Sequence, residues 1–203
     1  MLTGVILAGG QNRRMNGQVK ALLPFGGEPL LKRQLQEMKQ VCEEIWVVTN
    51  QPGRFVPYAK EGIRIISDDW PGMGPLGGMA SAFSKASYPD VWVVGCDMPF
   101  ICGRVAQRLV ECRTSQSVEA VVPVVEGKRQ PLHAVYDKTS AEIIRELLKK
   151  GVRQVNGFLE AIRCRYVDET FFARQGLSLQ FAMNVNTPKE YERALRRIEE
   201  PER

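Results

Sequence analysis

Gly4-Val5-Ile6-Leu7-Ala8-Gly9-Gly10-Gln11-Asn12-Arg13-Arg14-Met15-Asn16-Gly17-Gln18-Val19-Lys20 sets a short apolar run directly against a loop of glycines and cations. Gly4–Ala8, stopped by Gly9-Gly10, reads as a buried strand. From Gly9 to Lys20 there are three glycines, three cations and no carboxylate. Glycine lets backbone N–H groups come close to a ligand, and Arg13, Arg14 and Lys20 add positive charge. A loop of this chemistry suits a polyphosphate. The competing reading is a plain surface loop with solvated cations. A Walker A loop is excluded, because Gly127-Lys128 is followed by Arg129 and no GxxxxGK[ST] occurs.

Outward from this loop, apolar runs alternate with helical stretches. The spacing of Leu30, Leu31, Leu35, Met38 and Val41 predicts a helix from Pro29 to about Gln40. Ile45–Thr49, Ile63–Ile66 and Val91–Val94 read as strands. Leu76–Ala86 and a stretch around Arg104–Cys112 read as helices. Ala120–Val125 is a further strand, whose Pro123 places it at an edge or a bulge, or interrupts it. Leu132–Tyr136 is its candidate partner. Thr139 with Glu142 predicts a capping box ahead of the stripe Ile143, Ile144, Leu147 and Leu148, with Gly151 as the stop. Thr187, Pro188 and Glu190 open the last helix in the same manner. The charged tail after Ala194 is expected to fray. Strands alternating with helices predict an α/β fold of three layers, a mainly parallel central sheet with helices on both faces. Ligands of such sheets bind beyond the carboxyl ends of the strands.

The chain of 203 residues suits a single domain, 1–203, with a real core. Its apolar fraction of 44% and charged fraction of 25% argue against a disordered or repeat protein. The net charge of +5 permits a polyanionic ligand. The cations form no long run and do not interleave with aromatics, which argues against nucleic-acid binding. No apolar stretch approaches a membrane span, and the N-terminus lacks the pattern of a signal peptide. The five cysteines (Cys42, Cys96, Cys102, Cys112, Cys164) show no CxxC spacing and suggest neither disulfides nor zinc. A reducing cytoplasm is the expected location.

Val91-Trp92-Val93-Val94-Gly95-Cys96-Asp97-Met98-Pro99 puts a carboxylate just past a strand. Magnesium takes oxygen ligands and is usually held by one or two carboxylates plus substrate phosphates, so Asp97 is the candidate metal ligand. A helix cap is the competing role. Ser67-Asp68-Asp69-Trp70-Pro71-Gly72-Met73-Gly74-Pro75-Leu76-Gly77-Gly78 is a second glycine-rich turn, offering Asp68 or Asp69. It matches GxGxxG at Gly72, Gly74 and Gly77. The fingerprint wants its first glycine directly after the strand, however, and here four residues intervene before Gly72. Asn184 and Asn186 put two amides on one face of an extended segment ahead of a helix N-terminus, suited to a heterocycle and an anionic tail. Capping and turn chemistry are the alternative there. His133, the only histidine, reads as a packed strand residue. Cys96 reads as a small buried side chain.

The run LAGGQNRRMNGQVKALLPFGGEPLL, Leu7 to Leu31, resembles the signature of the nucleotidyltransferases that act on sugar nucleotides and molybdopterin. Their pattern is roughly L-A-G-G-x-x-x-R-M-G-x-x-K, followed by a Leu-rich strand and G-x-P-L-L. Asn16 stands where that pattern has glycine, and Asn tolerates the left-handed conformation. The strings Cys96-Asp97-Met98-Pro99, Gly127–Tyr136 with its Gln130-Pro131-Leu132, and Phe181–Pro188 with Asn184-Val185-Asn186-Thr187-Pro188 resemble later motifs of the family in the right order. The Asn-Val-Asn-Thr-Pro string resembles the molybdenum cofactor guanylyltransferases within it.

The resemblance implies a Rossmann-like nucleotidyltransferase fold with a nucleotide-binding half, about 1–110, and a pterin-binding half, about 118–195. It implies nucleotide contacts at Leu7, Ala8, Gly9, Gly10, Lys20, Asp68 and Asp97, with Gly74-Pro75-Leu76 lining the base pocket. Arg14, Lys20 and Asp97 would be catalytic, Asp97 would hold Mg²⁺, and Asn184 and Asn186 would bind the pterin. The implied reaction moves GMP from GTP to molybdopterin, with the cytidylyl or sugar-phosphate version as the alternative. Transient contact with other molybdenum cofactor enzymes is a further expectation.

Overall fold

The computed structural model describes residues 1–9, 19–60 and 62–199. The strand β1 (Leu2–Leu7) is buried at all six positions, which is why its sequence shows no polar alternation. A short hairpin of β2 (Pro24–Phe25) and β3 (Glu28–Pro29) leads into α1 (Leu30–Met38). Then come β4 (Glu44–Thr49), β5 (Ile63–Ser67), α2 (Gly74–Phe83), β6 (Asp90–Gly95) and α3 (Gly103–Gln116). The remainder is β7 (Ala120–Val125), β8 (Lys128–Arg129), β9 (His133–Asp137), α4 (Ala141–Lys149), α5 (Val155–Leu159), β10 (Cys164–Val167), α6 (Glu169–Ala173) and α7 (Pro188–Glu199).

The main sheet has the order β10-β7-β9-β6-β1-β4-β5, with β8 paired to β7. The block β6-β1-β4-β5 is parallel throughout. The pair β7-β10 is also parallel, and β9 runs against both β6 and β7. The expectation of a mainly parallel sheet covered on both faces therefore holds. One face buries Leu31, Leu35 and Met38 of α1 and Val105, Ala106 and Leu109 of α3. The other buries Leu76, Met79 and Phe83 of α2, Ile144 and Leu148 of α4 and Phe158 of α5. From β1 the chain order runs outward in both directions, to β4 on one side and β6 on the other. In open α/β sheets such a reversal marks the place where ligands bind, the crevice past the carboxyl ends of the strands, here those of β1 and β6.

Four local expectations are corrected. The strand β7 lies inside the sheet and runs straight through Pro123. Pairing with β9 covers only Ala120 and Val121, so proline's missing N–H falls where β9 has already diverged. The Thr139–Glu142 capping box does not form. Thr139 Oγ1 donates instead to Asp137 Oδ1 at 2.7 Å, and Glu142 pairs with Arg145. The helix predicted over Leu76–Ala86 starts earlier, at Gly74. The helix does not stop at Ala194, because α7 continues to Glu199, and residues 200–203 of the tail expected to fray lie outside the described residues. Leu195 and Ile198 anchor the helix against a satellite cluster of Phe25, Leu30, Val185 and Ala194. The Thr187–Glu190 box, by contrast, closes in both directions.

His133 is a core residue, as its strand setting predicts. It has no exposure and packs between Trp92 and Phe181. Its Nε2 accepts from the Cys102 N–H at 3.3 Å. Burial pushes its pKa down to about 3 from 6.5. A depressed histidine pKa means that protons favour the unfolded chain. This contribution is complete above the unfolded value and is lost as pH falls toward the folded one. Stability is expected to drop by up to about 1.4 kcal/mol per pH unit below 6.5 on this account. Urea midpoints at pH 7 and pH 5 check it: His133→Asn should lose much of the slope, and an identical slope would show that the imidazole is not buried neutral.

Candidate functional site

At the crevice, the end of β1 is tied to both neighbouring strands. Ala8 N–H donates to Val48 O at 2.8 Å, and Cys96 N–H donates to Leu7 O at 3.2 Å. Leu7 and Ala8 are buried, and Gly9 emerges exposed, where a Cβ built on it would stand 3.7 Å from Asn50 Nδ2. Gly10 and Arg14, and the rest of the cationic loop to Gln18, lie outside the described residues. Lys20 follows as the start of a single 3₁₀ turn over Lys20–Leu22.

Three of the expected site residues meet across long sequence separations. Lys20 Nζ lies 3.8 Å from Asp97 Oδ2 and donates to Asn186 Oδ1 at 2.6 Å. The three come from the loop after β1, the turn after β6 and the segment before α7. A backbone bond joins the last two, from Val185 N–H to Asp97 O at 2.8 Å. Val185 itself is buried beside Phe25 and Leu30. Asn186 is held from below as well, because Glu190 Oε2 accepts from its N–H at 2.8 Å and from the Thr187 N–H at 2.9 Å. Those bonds, the Asn186 N–H first, keep the Glu190 carboxyl below its ordinary range.

Burial and the neighbouring charges act on the Asp97 carboxyl in opposite directions. Burial raises the Asp97 pKa, the Lys20 ammonium pulls it back, and the nearby Glu190 adds to the rise. A divalent ion would add positive charge to that of Lys20 and favour the ionised carboxylate further. Among the described residues no three His, Cys, Asp or Glu side chains gather into a cluster. The described residues thus offer one carboxylate here rather than a cage. That donor set fits magnesium, which completes its octahedron with substrate phosphates and water.

Two features were missed in the sequence. Gly95 matters for space: a Cβ built there would stand 2.7 Å from Asp97 Oδ1. Gly95→Ala is accordingly expected to displace the carboxylate and lower turnover at least tenfold, about 1.4 kcal/mol, with the melting temperature little changed. Turnover within twofold of the parent would show that Asp97 tolerates the shift. The other feature, Gln34 of α1, is a polar residue within an apolar helical stripe, and that interruption was the available signal.

Asp68 and Asn184 are not drawn into the Lys20 group by any hydrogen bond among the described residues. Asp68 Oδ1 accepts from Trp70 N–H at 2.9 Å and lies 3.2 Å from Ser81 Oγ, which is turn chemistry. Asp69 is more exposed and is paired with Lys85 at 2.6 Å. Asn184 Nδ2 donates to Ala182 O at 3.1 Å, one residue from the Val185 link to Asp97. Burial pushes the Cys96 thiol up to about 12, which leaves it un-ionised at neutral pH.

Comparison with known proteins matches residues 4–164 to the family described as the MobA-like NTP transferase domain. A probable molybdenum cofactor guanylyltransferase of Pelotomaculum thermopropionicum is 37% identical, over 95% of this chain and 91% of its own. One from Methanothermobacter thermautotrophicus is 31% identical over 91% of this chain and 94% of its own. Among solved structures, molybdopterin-guanine dinucleotide biosynthesis protein A of Archaeoglobus fulgidus superposes with a TM-score of 0.84. It covers 97% of this chain and 98% of its own, and at 22% identity it speaks to the fold alone.

Proposed function

Because the chain belongs to the MobA-like NTP transferase family, we propose that it is an enzyme that transfers GMP from GTP to molybdopterin, or to its molybdenum-loaded form. The observation that carries the reading is the convergence of Lys20, Asp97 and Asn186 at the crevice beyond β1 and β6. Relatives of 37% and 31% identity named as molybdenum cofactor guanylyltransferases support the choice of base and acceptor.

The chemistry is an in-line displacement. An oxygen of molybdopterin's terminal phosphate attacks the α-phosphorus of GTP, a new P–O bond forms, and the bond to the bridging oxygen breaks. Pyrophosphate leaves with that electron pair, and the dinucleotide cofactor remains. Such transfer needs positioning and charge neutralisation rather than a side-chain nucleophile. Leu7, Ala8, Gly9 and Gly10 would present backbone to the nucleotide, with Asp68 beside it. Lys20 and Arg14 would hold charge on the triphosphate and the departing pyrophosphate. Asp97 would hold magnesium, which would supply further neutralisation of phosphate charge.

We assign residues of about 1–110 to the nucleotide and about 118–195 to the pterin, within one domain of 1–203. Asn184 and Asn186 are the proposed pterin contacts, with Asn186 also steadying Lys20. Asn184→Ala is expected to raise the KM for molybdopterin by about tenfold, the scale of one or two lost hydrogen bonds, and to leave the KM for GTP nearly unchanged. An equal rise in both would contradict this division. The five cysteines, all free, suit the reducing cytoplasm where we place the reaction. No helix among the described residues is long and apolar enough to cross a membrane. Transient contact with the enzymes that supply or receive the cofactor belongs to the same proposal.

The test is a nucleotide panel. GTP, CTP and UTP are each supplied with molybdopterin and Mg²⁺, and the product is identified by mass. A guanine dinucleotide made only with GTP is expected. A cytosine product would transfer the reading to the cytidylyl version of this fold, and no product with any nucleotide would overturn it.

A further inference from the structure

Gln34 is the one polar side chain on the buried face of α1, among Leu30, Leu31, Leu35 and Met38. It has no solvent exposure. Its Nε2 donates to Gly95 O at 2.8 Å and to Met98 O at 2.9 Å. Both partners are carbonyl oxygens, so the atom that faces them is the amide nitrogen. These two carbonyls bracket Cys96-Asp97. The turn between them is otherwise closed by one long bond, Met98 N–H to Gly95 O at 3.3 Å. The next residue is held from the same helix, because Arg33 Nε donates to Pro99 O at 3.1 Å. From the other side, Val185 N–H holds the Asp97 carbonyl.

Gln34 Oε1 has no partner among the described residues. A buried amide oxygen without a partner is destabilising, and a leucine at this position would not carry that cost. What a leucine could not do is tie both ends of the turn. We propose that Gln34 is a positioning residue for Asp97, its amide closing the turn 95–98 so that the carboxylate meets Lys20 and a divalent cation in one fixed orientation. This rests on the reading of Asp97 as the magnesium ligand. Groups of this kind, which touch not the metal but the element that carries its ligand, commonly change metal affinity by about 10- to 100-fold.

The experiment uses Gln34→Met, which keeps the length and volume of the side chain and removes the donor. Mn²⁺ serves as the probe, its binding in the presence of GTP followed by electron paramagnetic resonance on protein checked for folding by circular dichroism. Mn²⁺ affinity is expected to fall about 10- to 100-fold, while the KM for molybdopterin stays at the parent value. In an Asp97→Asn background the same substitution should change Mn²⁺ affinity no further, because its route runs through Asp97. If Gln34→Met does not fold, Gln34→Asn, which keeps the amide and shortens its reach, is read in the same way. A variant that melts at lower temperature yet binds Mn²⁺ with GTP as the parent does would overturn the proposal and leave Gln34 a purely structural residue. Parent protein that binds no Mn²⁺ with GTP would overturn the nucleotide reading and this proposal together, so the two failures are told apart by which protein fails to bind.

Discussion

Asp97→Ala is expected to abolish magnesium-dependent turnover while the protein stays folded. Among the described residues Asp97 is the one carboxylate in contact with Lys20, and no cluster of three potential ligands there could replace it. The fold already disfavours its ionised form, since burial raises its pKa. Removing it therefore relieves a cost rather than a support. The backbone bonds that shape the turn, from Cys96 N–H to Leu7 O and from Val185 N–H to Asp97 O, need no side chain. Rate against Mg²⁺ concentration and a thermal melt, measured side by side, give the answer. A melt within a few degrees of the parent with no measurable turnover is expected, and near-normal turnover would remove Asp97 from the metal role. The raised pKa adds a pH signature. The carboxylate must ionise to bind a metal, so Mg²⁺ affinity should weaken on acidification at a higher pH than an ordinary aspartate would set.

Lys20→Ala is expected to cost about 2–4 kcal/mol of transition-state stabilisation, a fall of roughly 30- to 1000-fold in kcat. Its ammonium is anchored at 2.6 Å to Asn186 and sits 3.8 Å from Asp97, so it is pre-organised before any substrate arrives. Pre-organised charge is worth more to a developing anion than charge that must reorient. Lys20→Arg should not restore the rate, because a planar fork with fixed donors cannot take the place of a compact ammonium between an amide and a carboxylate. Single-turnover rates with saturating GTP separate this loss from weaker nucleotide binding. A fall below tenfold would count against Lys20 as a catalytic group.

Parts of the molecule were readable because the physics is local. The apolar run of β1 is continuous since the strand is covered on both faces. The stripe of α1 repeats at helical spacing because one face meets the sheet. The Thr187–Glu190 box is a bond pattern between residues three apart, and it forms as read. The Thr139–Glu142 pair has the same spacing and does not form. Asp137, at the end of β9, lies closer to the hydroxyl, a competitor that depends on where the strand stops. The strand β10 escaped notice because Cys164-Arg165-Tyr166-Val167 is a half-exposed edge strand with no apolar run. Likewise β2, β3 and β8 span two residues each, too short for a period to show.

By itself the chain order of residues determined the α/β layering, the loop rich in glycine and cations, and the identity of Lys20, Asp97 and Asn186 as the side chains to watch. The layering and the loop follow from composition and spacing within a few neighbouring positions, whereas the three side chains stood out through the family motifs they resemble. Only the tertiary structure decided that these three meet, Lys20 and Asn186 being 166 positions apart in the chain. It also decided that Pro123 sits inside the sheet, that Gly95 leaves room for a carboxylate, and that Gln34 ties the turn beneath it. Those facts depend on strand order and on how α1 and α7 pack. Such packing sums many weak contacts between residues far apart in the chain, and no short window of sequence contains it.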